Sequence, residues 1–322
     1  MAEHPPGPLS IRDPRVAAVR SAVREHLDLL EAQTFVVALS GGPDSLALAA
    51  LAIPLAHRNG KRVRCLVVDH RLQQGSAEVA EAAAAQAREL GADEARVLEV
   101  RVGESGGPEA AAREARYPAL RAAAGDAPVL LGHTLDDQAE TVLLGLARGS
   151  GARSIAGMAP FDGGLVRPLL GVRRTDTEGT CAALGLPFWS DPHNTDRAYT
   201  RVRLRTEVLP LLEEVLHGGV AEALARTAGQ VREDSAVLDE LAASERASGD
   251  LSVRELAALA GPVRRRVLRR WLLGSGVREL SDAHLRAVES LVTAWRGQGP
   301  HWLPGGIAVL RERDALTVRQ GG

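Results

Sequence analysis

Cysteine, lysine and aromatic residues are all scarce in this chain of 322 residues. Its two cysteines, Cys65 and Cys181, lie far apart and make no CxxC pair. Neither a disulfide framework nor a thiolate metal site is suggested, and the expected compartment is the cytoplasm. Lys61 is the only lysine, so nearly all basic charge is arginine. Aromatics make up 3% of the chain, which leaves few platforms for stacking along single-stranded RNA. No apolar run approaches the roughly 20 residues needed to span a bilayer. The polar, proline-rich stretch Met1–Pro8 has neither the basic nor the apolar region of a secretory signal. A formal charge of −2 argues against a broadly basic nucleic-acid coat.

What is present is an ordinary globular composition, 45% hydrophobic and 25% charged, on a chain long enough for two cores. Short β-branched runs alternate with segments of helical apolar spacing. Strands are expected at 34–39, 63–69, 95–102 and 128–133, and helices at 15–31, 45–58, 76–91, 108–125 and 135–148. Such alternation predicts an α/β fold, with a parallel sheet covered by helices on both faces and ligands beyond the carboxyl ends of the strands. From about residue 200 the strand signal fades. A helix is expected over 200–216 despite Pro210, then helices at 220–246, 252–260, 262–273 and 281–296. A small β-like tail follows at 301–319, with Pro304-Gly305-Gly306 as its turn. Gly218-Gly219 marks a boundary, so the expected division is 1–217 and a smaller, mainly helical domain at 218–322.

The segment Val36-Val37-Ala38-Leu39-Ser40-Gly41-Gly42-Pro43-Asp44-Ser45 joins a strand pattern to a helix through a glycine-rich turn. Backbone N–H groups at such a helix start face an anion. No Gly-Lys-[Ser/Thr] closes the loop, so it is not a Walker A loop. The string Ser40-Gly-Gly-x-Asp-Ser45 resembles the PP-loop of ATP pyrophosphatases, enzymes that split ATP into AMP and pyrophosphate. Glycines admit the phosphates closely, Ser40 and Ser45 add hydroxyls, and Asp44 can hold Mg²⁺.

A second stretch, Leu131-Gly132-His133-Thr134-Leu135-Asp136-Asp137-Gln138-Ala139-Glu140-Thr141, puts a histidine at a strand end and acids in the next helix. Asp137, Glu140 and Thr141 share one helix face. Acids in a first turn also serve as plain helix caps, worth roughly 0.3–1 kcal/mol. With Val68-Asp69-His70, Ala112-Arg113-x-x-Arg116-Tyr117, Arg148-Gly149-Ser150-Gly151, Gly157-Met158 and Arg167-Pro168-Leu169, the chain resembles the tRNA(Ile)-lysidine synthase family. The resemblance continues through Asp191-Pro-x-Asn194-x-Asp196-x-x-Tyr199-x-Arg201-Val-Arg-x-Arg205 and Leu209-Pro210, and covers roughly 34–212.

That resemblance implies ATP-dependent adenylation of the wobble cytidine of a CAU anticodon, followed by attack of L-lysine to give lysidine. It implies that Ser40, Gly41, Gly42, Pro43, Asp44, Ser45, Asp69 and His70 line the nucleotide site and that Asp44 and Asp137 hold Mg²⁺. His133, Asp137 and Glu140 would share metal, lysine and base duties, with Arg113 and Arg205 stabilising phosphate or adenylated base. Residues 218–322 would recognise tRNA(Ile), and Arg148, Arg201, Arg203, Arg264, Arg265 and Arg269 are the expected RNA contacts. The basic groups at 197–205 and 264–270 also fit solvated faces, and Tyr117 and Tyr199 read as packing residues. Val202 stands where many relatives have Asn, and 152–156 is a variant of the usual small-residue loop. An ending near Gly322 suggests a short form. Oligomeric state is left open, a homodimer included. The alternatives are a PP-loop tRNA thiolase, poorly supported by two isolated cysteines, and a non-catalytic ATP-responsive RNA-binding protein.

Overall fold

The central strand runs, at 34–39, 62–69 and 129–131, are largely buried on both faces because each alternates its apolar side chains between two layers of helices. In the computed structural model, described for residues 12–71, 75–100, 108–149, 151–190, 196–245 and 247–320, β1 (Thr34–Leu39) lies between β2 (Arg62–Asp69) and β4 (Val129–Leu131). Val37 and Leu39 of β1 face one hydrophobic cluster with Leu46, Leu48 and Val23, whereas Val36 and Ala38 face another with Leu120 and Leu131. The sheet order is β3-β2-β1-β4-β6-β5, with β3 at Glu94–Glu99, β5 at Phe161–Asp162 and β6 at Leu165–Val166. All its pairings are parallel except the β5–β6 hairpin. Strand order reverses direction at β1, so the crevice of this α/β sheet opens between the ends of β1 and β4.

The helices of this layer are α1 (Pro14–Asp28), α2 (Pro43–Arg58), α3 (Ser76–Glu89), α4 (Pro108–Ala124), the start of α5 (Leu135–Arg148), and α7 (Arg174–Ala183). A four-residue helix, α6 (Ala152–Ile155), precedes β5. Helix α7 has no counterpart in the apolar periodicity. Its sequence, RTDTEGTCAA, is rich in poor helix formers. Packing stabilises it instead: Thr177, Thr180 and Cys181 are fully buried, and a Cβ on Gly179 would lie 2.5 Å from the Arg15 side chain.

The helix expected over 200–216 is one helical run with a wide turn in its middle. It comprises α8 (Thr200–Arg203), a π-helical turn (Leu204–Val208) and α9 (Leu209–Val215). Pro210 cannot donate to the carbonyl four residues back and its ring crowds that carbonyl. Widening the turn before it, with the Leu209 N–H reaching Leu204 O, relieves the conflict.

Backbone packing divides the chain inside α5 and α10 (Val220–Ala243), giving one unit of 1–141 with 158–226 and another of 142–157 with 227–322. In the second unit α11 (Val253–Ala258), α12 (Gly261–Gly274) and α13 (Asp282–Thr293) share a core with an antiparallel sheet. Its order is β7-β10-β9-β8, from Leu251–Ser252, Ala315–Gln320, Ile307–Glu312 and His301–Leu303. Gly305 and Gly306, with φ of 84° and 69°, make the expected turn between β8 and β9. The two-residue strand β7 is too short to leave a periodic signal.

Candidate active site

A cavity of about 930 Å³ opens where β1, β2 and β4 end. Ser40, Gly42, Pro43, Asp44 and Ser45 form one wall, and Asp69, His70, His133, Asp137 and Glu140 also line it. Gly42 is the N-cap of α2 and offers no side chain to the first N–H groups of the helix. Those donors stay available to an anion, which the helix dipole also favours. Gly41 has a φ of 80°, closed to most residues. Ser45 Oγ accepts the Ser40 N–H at 3.0 Å and donates to Gly42 O at 3.1 Å, tying the loop into one shape. The end of β4 comes so near that a Cβ on Gly132 would sit 2.9 Å from Ser45 N.

Asp137 does both things an acid in a first helical turn can do. Its Oδ2 accepts the backbone N–H and the hydroxyl of Thr134 at 2.8 and 3.0 Å, a reciprocal cap of α5. Its Oδ1 faces the cavity, accepting from Arg174 Nη2 at 2.7 Å and lying 3.4 Å from Arg205 Nη2. Arg205 Nε donates to Glu140 Oε1 at 2.7 Å, and Arg174 Nη2 stands 3.5 Å from Asp44 Oδ2. Acids and bases therefore alternate through Glu140, Arg205, Asp137, Arg174 and Asp44. Asp44 also accepts from the Thr177 hydroxyl.

These neighbours divide the carboxyl groups. Burial pushes Asp44 up to about 6 despite the attraction of Arg174. Glu140, with no exposed surface, is also raised by burial, against the pull of Arg205. Burial opposes ionisation of Asp137 as well, but Arg174, His133, the Thr134 N–H and Arg205 together hold it below the usual range. His70 is lowered by burial and by Arg116.

Asp44 and Asp137 converge on one cationic nitrogen, so hard oxygens from two elements face a common point. That donor set fits a Mg²⁺ ion completed by phosphate and water oxygens. Among the described residues no group of three or more His, Cys, Asp or Glu could hold a metal by itself.

The chain matches the PP-loop domain family over residues 16–212 and the TilS substrate binding domain over 251–317. It is 60% identical over 312 residues to the tRNA(Ile)-lysidine synthase of Nocardia farcinica, covering 94% of this chain and 96% of that one. To the enzyme of that name from Mycobacterium tuberculosis it is 57% identical over 317 residues, covering 95% and 94%. The chain belongs to the tRNA(Ile)-lysidine synthase family. Among solved structures, the U34-tRNA thiolase NcsA from Methanococcus maripaludis with its [4Fe-4S] cluster is similar in fold. Its TM-score is 0.59 and its identity 18%, over 69% of this chain and 81% of that one.

Other expected residues of this lysidine synthase family member fall in different places. Asp69 is 3% exposed and its Oδ1 accepts the Arg71 N–H at 2.9 Å, closing the turn after β2. Asp136 accepts the Arg174 N–H at 2.8 Å and so caps α7, and the Thr141 hydroxyl bonds back to Asp137 O at 2.8 Å. Arg201 lines the cavity together with Val202 and Tyr199. Arg203 instead pairs with Glu207 at 3.3 Å, on an exposed face where Arg197 meets the same carboxylate at 2.9 Å. Arg113 lies on α4, where Arg116 lines the cavity; the side chain of Arg113, with Leu72, Ser150, Asp191 and Asn194, lies outside the described residues.

In the second unit the arginines of α12 are largely engaged within the unit. Arg264 donates to Glu289 at 3.0 Å and to Leu259 O at 3.0 Å, and Arg265 reaches Glu289 at 3.3 Å. Arg266 meets Asp239 at 2.8 Å, alongside Arg153 from α6, the short helix that stands where a small-residue loop was expected. Arg269 is half-buried, and Arg148 lies in the last turn of α5. Sequence reasoning missed Arg174, Thr177 and Trp189, which lines the cavity and donates its backbone N–H to Gly41 O at 3.0 Å. The first two sit on α7, just after the quoted Arg167-Pro168-Leu169; extending that motif to the next basic residues would have found Arg174.

Proposed function

We infer that the chain is a ligase that joins L-lysine to C2 of the wobble cytidine in the CAU anticodon of tRNA(Ile), using ATP. ATP adenylates the C2 oxygen and pyrophosphate leaves; the lysine ε-amine then attacks C2 and expels AMP, giving lysidine. The observation that carries this reading is the joining, in one cavity, of an uncapped helix start with the linked side chains of Asp44, Arg174, Asp137, Arg205 and Glu140. The first step needs phosphate binding and in-line positioning, which suit the α2 start, Gly41, Gly42, Ser40 and Ser45. Asp44 and Asp137 would hold Mg²⁺, which when bound neutralises phosphate charge.

The second step needs a neutral amine from a group with a free pKa of about 10.4. Carboxyl groups whose environments separate their pKa values take different parts. Asp137, held ionised, is the fixed anion toward the lysine cation. Glu140, raised by burial and with Oε2 lacking a hydrogen-bond partner, is the proton acceptor. Arg205 orients Glu140, His133 acts beside Asp137, and Asp69 and His70 line the nucleoside end. Residues 1–217 carry the chemistry and 218–322 tRNA recognition, in a cytoplasmic protein; no described helix is long and apolar enough to cross a membrane.

Pyrophosphate release separates the steps. With CAU-anticodon tRNA, ATP and Mg²⁺ but no lysine, pyrophosphate should appear in about one equivalent per enzyme, and lysine should then release AMP. Pyrophosphate without tRNA dependence would contradict the assignment. The thiolase alternative requires sulfur chemistry for which Cys65 and Cys181, each fully buried and unpaired, offer no accessible pair.

A further inference from the structure

Arg174 is the cavity residue that neither the motifs nor the reaction assigned above explain. Asp136 holds its backbone N–H at the first position of α7, which aims the guanidinium between α2 and α5. Its Nη2 gives a single short hydrogen bond, to Asp137, and stands 3.5 Å from Asp44. Its Nε is buried with no hydrogen-bond partner. A guanidinium normally spends its planar fork on two parallel bonds to one anion. Here one nitrogen, Nη2, serves both carboxylates and Nε is left over, an arrangement that costs free energy.

We propose that Arg174 is a positioning residue that keeps the metal seat filled: without nucleotide it occupies the point between Asp44 and Asp137, and it moves to the phosphates when a divalent ion enters. Two cations cannot share that point at these distances. With the carboxylates engaged by the ion, the displaced guanidinium faces the polyanion at the start of α2, where its unused Nε–H finds an acceptor. The exchange would make metal and nucleotide enter together, because each removes an obstacle to the other. The inference rests on Asp44 and Asp137 being the metal ligands.

The test is Mn²⁺ binding to the full chain without nucleotide, followed by electron paramagnetic resonance. Arg174→Gln should bind Mn²⁺ about tenfold or more tightly than the parent, within the range of ordinary site coupling. Adding Asp44→Asn to that variant should remove the gain. In turnover, Arg174→Gln should raise the KM for Mg-ATP, and Arg174→Lys should restore part of it. Unchanged or weaker Mn²⁺ binding by Arg174→Gln overturns the proposal, as does a gain that survives Asp44→Asn. Should Arg174→Gln fail to fold, Arg174→Met carries the same binding test, since it fills much of the side chain's space without a cation and Mn²⁺ should again bind more tightly. The binding assay contains neither tRNA nor lysine, so its failure leaves lysine transfer untouched, and failure of lysine transfer leaves the Mn²⁺ result readable.

Discussion

Asp137 and Glu140 are one helical turn apart, yet the side chains around them push their protons in opposite directions. The split predicts separable losses. Glu140→Gln should keep tRNA-dependent pyrophosphate release but lower lysine transfer by about 10²–10⁴, the usual worth of a general base. Asp137→Asn should lower both steps; its amide oxygen can keep the cap on Thr134, but its NH2 then faces the Arg174 and Arg205 guanidiniums, so the melting temperature should fall as well. Equal loss of both steps in Glu140→Gln, read by rapid quench, would contradict the division. At the same scale the cysteines are inert: burial pushes Cys65 and Cys181 up to about 12. A thiol reagent at pH 8 should label neither in the folded protein and both after denaturation; rapid native labelling would mean the interior opens readily.

Among the elements, the turn from α9 into α10 depends on one acid. Glu213 accepts the Val220 and Ala221 N–H groups at 3.0 and 3.2 Å and pairs with Arg173 at 3.1 Å. These backbone donors hold its pKa below the usual range. A depressed carboxyl stabilises the fold above its unfolded pKa, and that contribution is lost as pH falls through the folded value. Glu213→Gln should therefore cost about 1 kcal/mol at pH 7, and the gap from the parent should close in acid below about pH 4.5. Urea midpoints at the two pH values check this; a gap that widens in acid would contradict it. The long strands and helices were legible because burial on both faces leaves β-branched runs and a 3.6-residue stripe. Helix α7 was not, since its stability comes from Thr177, Thr180 and Gly179 fitting against neighbours, which no periodicity records. The π-helical turn at Arg205 was not legible either: Pro210 signals a disruption, but only packing decides whether the helix breaks or widens.

For the whole molecule, near-neutral charge hides how the arginines are spent. The run at 264–270 reads in sequence as a patch or a solvated face, yet Arg264 and Glu289 are only 13% and 11% exposed and bind each other. Removing Arg264 leaves Glu289 with Arg265 at 3.3 Å as its remaining partner, so the cost should reach only part of the about 3–5 kcal/mol of a fully broken buried pair. Arg264→Ala should lower the melting temperature markedly, whereas Arg203→Ala, paired on an exposed face, should leave it within about 1 kcal/mol of the parent. Comparable thermal melts for the two variants would contradict this. Arg264 and Glu289 lie 25 residues apart on different helices, a pairing that no charge run in the sequence records. The motifs of the cavity fared differently, because a phosphate loop and a helix of acids need fixed local spacing, while Arg174 reaches the same point from a distant helix.

If this one cavity turns cytidine into lysidine, the product is visible in the RNA itself. Incubating the protein with CAU-anticodon tRNA, ATP, Mg²⁺ and lysine, then digesting the RNA and weighing the wobble nucleoside, tests that conversion most directly. The wobble cytidine should have gained one lysine and lost one water, only when ATP and lysine are both present. An unchanged cytidine, or one carrying sulfur in place of the C2 oxygen, would contradict it.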